Sequence, residues 1–79
     1  MQNGYLTIDG LPRDDDALLT EQQASVLLGH PVRTLQAWRY RGGGPKFVKT
    51  SRSVRYRRRD LIDWIDAGTL ENTSQELSR

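Results

Sequence analysis

Apolar residues along this chain keep helical spacing in three places and strand spacing in one. Val32, Leu35 and Trp38 recur every third residue, which predicts a short helix over Val32–Arg41 with an apolar back. Ala24, Leu27 and Leu28 make an i, i+3, i+4 stripe within an earlier helix, Leu18–Gly29. Thr20 followed by Gln23 is a capping-box pattern for that helix, and Glu21 suits the positive end of its dipole. Gly29 supplies a residue able to end it in the left-handed conformation. Only His30 and Pro31 then separate the two helices, and Pro31 pre-sets φ for the second. Two short helices joined so tightly form a helix-turn-helix unit. Gly42–Pro45 stops the second helix. From Phe47 to Arg57 the period becomes two, predicting a hairpin with Phe47, Val54 and Tyr56 inward and Thr50–Ser53 as its turn. Leu61, Trp64 and Ile65 mark a third helix over Asp60–Ala67, closed by Gly68.

The flanks read differently. Residues 1–17 are expected to be an acidic, loosely structured arm, with Tyr5, Leu6 and Ile8 either a short extended segment or a hydrophobic plug. Residues 18–68 carry the folded unit and 69–79 a polar tail, in which Leu70 and Leu77 are possible partner contacts. The expected fold is mainly α with a small β-hairpin: three short helices plus a two-stranded wing.

Size and composition narrow the function. With 79 residues and 35% hydrophobic content, the core is lean, worth roughly 3–5 kcal/mol net. There is no cysteine and one histidine, so disulfides and cysteine–metal sites are excluded and no metal or cofactor is expected. No apolar run approaches the ~20 residues of a membrane span. Met1–Gly10 has neither the basic opening nor the apolar run of a signal peptide, so the expected location is the cytoplasm.

Charge changes the picture most. The net charge of +2 conceals segregation: −4 over Met1–Glu21, +10 over Gln22–Arg59, where there is no acid, and −4 over Asp60–Arg79. An uninterrupted basic block points to a polyanion, above all nucleic acid. The front of the second helix carries Arg33, Thr34, Gln36, Ala37, Tyr40 and Arg41. Paired donors and acceptors on Arg and Gln match guanine and adenine edges in a DNA major groove. The hairpin adds Lys49, Arg52, Arg55 and Arg57, with Lys46 at its entry, and Ser51 and Ser53 offer hydroxyls to phosphate oxygens. A charged hairpin edge also serves simply to prevent aggregation.

Other candidate chemistry falls away. Asp14–Asp16 reads as a solvated turn, or as an arm reaching the basic block of a neighbouring copy. Gly42–Gly44 lacks the spacing of a phosphate loop and follows no strand. Asp60, Asp63 and Asp66 are a solvated row or partners of Arg57–Arg59. His30 has no nucleophile or second base around it, and no catalytic constellation exists. The chain reads as a binding protein and not an enzyme.

L-L-T-E-Q-Q-A-S-V-L-L-G, R-T-L-Q-A-W-R, G-G-P-K-F-V-K and V-R-Y-R-R-R-D-L-I-D-W together resemble the AlpA-like and excisionase group of small winged helix-turn-helix proteins, relatives of the MerR DNA-binding domain. The resemblance spans Leu18–Ala67. It implies that Arg33, Thr34, Gln36, Ala37 and Arg39 lie on or beside a recognition-helix surface, and that Lys49, Ser51, Arg52, Ser53 and Arg55 lie on the wing. It also implies a core of Leu35, Trp38, Phe47, Val54, Tyr56, Leu61 and Trp64. Three positions depart from the pattern: Pro31 replaces a small polar cap, Arg59 stands where a cap is common, and Ser51-Arg52-Ser53 replaces a glycine-containing tip.

The implied function is a recombination directionality factor. Such a protein binds repeated double-stranded DNA sites cooperatively, bends them and directs an integrase, a tyrosine or serine recombinase, toward excision. The alternative within the same fold is an AlpA-like transcriptional regulator at a promoter. A different class, a module docking an acidic protein, is also consistent with the basic block. The acidic ends suggest head-to-tail self-association on DNA.

Overall fold

Thr20 and Gln23 organise the first helix as their spacing predicts. The Gln23 amide donates to Thr20 Oγ1 at 3.1 Å, and the Thr20 amide donates to Gln23 Oε1 at 2.9 Å. In the computed structural model, which describes residues 7–73, this box opens helix α1, Glu21–Leu28. Gly29 ends it at φ 73°. Helix α2 follows over Val32–Arg41, with Pro31 as N-cap; its ring fixes φ at −64° and its carbonyl accepts the Thr34 and Leu35 amides. Pro31 therefore sits one place before the first helical residue rather than on it.

Leu18 and Leu19, expected to begin the first helix, instead form a two-residue strand, β1 (Leu18–Leu19). Strands β2 (Val48–Thr50) and β3 (Ser53–Arg57) make the expected hairpin, and β1 pairs antiparallel on the far side of β3. The wing thus belongs to a three-stranded sheet, order β1-β3-β2. Leu19 lies opposite Tyr56, and both are sealed from solvent.

Helix α3 runs Arg58–Ala67, two residues earlier than its apolar spacing suggests. Its N-cap, Arg57, supplies no side-chain cap. The first-turn amides of Arg58 and Arg59 donate instead to the carbonyls of Ala17 and Asp15, at 2.9 and 3.0 Å. Orphan donors at a helix start need such partners. The preceding segment, expected to be loose, is tied down in providing them: Ile8–Gly10 forms a 3-10 turn and Leu11 is buried. Tyr5, Leu6 and Leu77 lie outside the described residues.

Leu19, Ala24, Leu35, Tyr56 and Leu61 form the core, one each from β1, α1, α2, β3 and α3. Burying each large side chain contributes about 1.5–3 kcal/mol. Two expected core aromatics are less buried than foreseen. Phe47 is 42% exposed and Trp64 37% exposed. Both make tilted ring contacts at the edge of the core: Phe47 with Tyr56, ring centroids 6.4 Å apart, and Trp64 with Trp38, 5.3 Å apart. Trp38 is held on its other side by His30, 5.0 Å away edge to face, and by Gly44. His30 is thus a turn and packing residue. Three helices and this small sheet make a winged helix-turn-helix.

Candidate nucleic-acid interface

Strand register decides which wing side chains meet α2. Lys49 pairs with Val54 across the hairpin, and cross-strand partners share a face. Lys49 therefore projects from the same side as Val54 and Tyr56, toward α2, and not outward as expected. It lines a groove with Gln36, Tyr40 and Phe47. A second groove, between the start of α1 and the wing tip, is lined by Thr20, Glu21, Arg52, Ser53 and Arg55. Arg39 and Val54 line both, so the two adjoin in one concave front.

On α2, Arg33, Gln36, Ala37 and Tyr40 share the outward helical face at i, i+3, i+4 and i+7. Tyr40 is 95% exposed, with no described residue covering its ring. Thr34 is half-buried, and Arg41 is exposed one turn beyond Ala37. Ser51, at the tip, has φ 56°, the sole positive φ outside glycine among the described residues. A glycine-containing tip would adopt that conformation without cost; serine does so under strain.

The structure divides the basic block into paired and unpaired charges. Arg57 is held by Asp60 at 3.2 Å, Arg58 by Asp15 at 3.3 Å and Arg59 by Asp16 at 2.8 Å. Two of the three acids of the N-terminal run, Asp15 and Asp16, are thus engaged within their own chain. Arg39, placed by sequence on the binding surface, also turns inward. Its Nη1 donates to Tyr56 Oη at 2.7 Å, its Nη2 to Glu21 Oε1 at 3.1 Å, and its guanidinium lies over the Phe47 and Tyr56 rings. Burial opposes the charge on Arg39. The hydrogen bonds and charges of Tyr56 and Glu21 outweigh it and raise the pKa above the ordinary guanidinium value.

Six bases of the block have no acidic partner among the described residues: Arg33, Arg41, Lys46, Lys49, Arg52 and Arg55. Lys49 lines the groove beside α2, Arg52 and Arg55 line the one at the wing tip, and Arg33 stands on α2's outward face. Arg55 Nη1 donates to its neighbour's carbonyl, Val54 O. Lys46 does not join them. It lines a separate groove with Asp60, Asp63 and Trp64, against α3. Arg57 sits at the β1 end of β3, away from the tip.

Glu21 is the residue that sequence reasoning assigned too small a part. Its carboxylate accepts from Arg39 and also from Gln36 Nε2, at 3.3 and 3.4 Å. The acid in the first turn of α1 is visible in the sequence, but its grip on two α2 side chains depends on the angle between the helices.

Among the described residues no three His, Cys, Asp or Glu side chains gather to hold a metal, and no helix is long and apolar enough to cross a membrane. A search of curated proteins finds no match. A family model described as a helix-turn-helix domain matches residues 18–69, which takes in every strand and helix of the fold from β1 to α3 and supports a DNA-binding function. With that match covering most of its length, and with this geometry, the chain belongs to the helix-turn-helix domain family.

Proposed function

We propose that the chain is a sequence-specific double-stranded DNA-binding architectural protein, with α2 in a major groove and the wing tip against the flanking backbone or minor groove. The observation that carries this reading is the concave front itself. Unpaired cations lie beside an exposed hydrogen-bonding helix face, while Arg39, Arg57, Arg58 and Arg59 are paired with acids of the same chain. In this reading Arg33, Gln36 and Tyr40 meet base edges, with Thr34, Ala37 and Arg41 beside them. Lys49, Ser51, Arg52, Ser53 and Arg55 hold phosphates, and Arg39 supports the surface from behind.

The resemblance to excisionases supports the finer role: a recombination directionality factor that occupies repeated sites beside an attachment site, bends the DNA and favours excision by an integrase. Neighbouring copies would then touch on the DNA. Asp15 and Asp16 are already engaged in cis, so the acids that make no ion pair among the described residues, Asp63 and Asp66 on α3 with Asp9 and Asp14 on the arm, are free for such contacts.

Binding to duplex DNA titrated with salt tests the core of the proposal. Six phosphate contacts give a slope of log K against log[salt] near about −5. Salt-insensitive binding, or none at micromolar protein, refutes it. Footprinting then tests the finer role: protection within an attachment-site arm supports it, and protection of a promoter core assigns a transcriptional regulator instead.

A further inference from the structure

Gln36 is the one amide on the outward face of α2, and its orientation is already set. Its Nε2 lies 3.3 and 3.4 Å from the two oxygens of Glu21. A carboxylate only accepts hydrogen bonds, so the amide nitrogen must face it and the amide oxygen must face away. Glu21 is itself braced. Arg39 donates to it at 3.1 Å and to Tyr56 at 2.7 Å, and Tyr56 is anchored in the core. The chain of bonds runs from the core to the DNA-facing surface through Tyr56, Arg39, Glu21 and Gln36.

An amide nitrogen carries two hydrogens. With one directed at Glu21, the other stays free beside Oε1, leaving one donor and one acceptor side by side. That pair matches N7 and N6 of adenine in the major groove, whereas guanine presents two acceptors there. From this geometry we infer that Glu21 is a positioning residue that fixes the Gln36 amide, so that α2 selects adenine over guanine at one position of its site. Glu21 does not read a base itself. Its oxygens are occupied by Gln36 and Arg39, and its side chain is largely covered. This inference rests on the DNA-binding function proposed above.

The test is selection from a randomised duplex library with the full chain, followed by competition between the selected duplex and its A·T to G·C variant. The wild type is expected to prefer adenine at one position by about 5- to 150-fold, and Gln36→Ala to abolish that preference. Glu21→Ala should reduce it to within about 3-fold at the same position, leaving the preferences at other positions intact while raising affinity for all duplexes through loss of the negative charge. Glu21→Gln keeps an oxygen acceptor and should retain most of the preference while raising affinity for all duplexes, since a negative charge is lost. A merely structural role for Glu21 would weaken every position alike. Should Glu21→Ala not fold, Glu21→Asp, too short to reach Gln36, carries the same expectation. Full adenine preference in these variants, or no position sensitive to Gln36→Ala, overturns the inference while leaving DNA binding standing. Absence of salt-sensitive duplex binding by the wild type overturns both.

Discussion

Gly44→Ala should be among the most damaging single-methyl changes in this protein. Gly44 has φ 79°, and a Cβ built there meets Trp38 Cβ at 2.8 Å, Cε3 at 2.9 Å and Cδ2 at 3.1 Å. Two costs combine. A non-glycine residue in the left-handed region costs about 1–2 kcal/mol. Forcing a methyl against a packed ring costs about 1–3 kcal/mol more, because Trp38 is pinned by His30 and Trp64. A smaller unfolded-state gain, about 0.4–1 kcal/mol, offsets part of this. The net expectation is a loss of about 1–4.5 kcal/mol, centred on about 3. Two neighbours separate the terms. Gly29→Ala has φ 73° but open space around the new methyl, and should lose only about 1 kcal/mol. Gly43→Ala has neither constraint and should be neutral or gain up to about 0.5 kcal/mol. Urea unfolding followed by tryptophan fluorescence and by far-ultraviolet circular dichroism measures all three. If Gly44→Ala loses no more than Gly29→Ala, the Trp38 contact is not the rigid support described above.

Other consequences are open to the same assay. Leu19→Ala removes a fully buried side chain and should cost about 2–5 kcal/mol, enough to unfold a domain this small at room temperature. Trp38→Ala should cost about 3–5 kcal/mol, and the part-exposed Trp64→Ala clearly less; equal losses would contradict the packing seen here. Tyr56→Phe removes the acceptor of a charged donor and should cost about 1–3 kcal/mol, checked by its unfolding midpoint. Ser51→Gly should stabilise the wing by about 0.5–1 kcal/mol, and a loss would show that the serine tip is not strained.

Local signals in the sequence served well where the structure they specify is local. The Thr20–Gln23 box, the Gly29 stop and the α2 span depend on residues within one or two turns. The Thr20 cap already excludes Leu18 and Leu19 from the helix, but two residues carry no period of their own, and only their distant partners Arg57 and Tyr56 make them a strand. The start of α3 was missed for a related reason, since its cap comes from backbone carbonyls far away in sequence. At the candidate interface, residue type and net charge pointed to a polyanion. The pairing of Arg57 with Asp60 was one of the readings the sequence offered, but residue type and net charge did not reveal that Arg39, Arg58 and Arg59 are neutralised by Glu21, Asp15 and Asp16, nor that Lys49 shares a face with Val54. Pairing of charges is a tertiary property, and a composition count is blind to it.

The amide-to-carbonyl bonds from Arg58 and Arg59 act as a clasp. The Arg58–Asp15 side-chain pair beside them joins residues 43 positions apart in the chain, and every residue proposed to meet DNA lies between the two. Helix α2 and the hairpin lie inside that closed span, so loosening the clasp should lower the protection of amides in both against deuterium exchange.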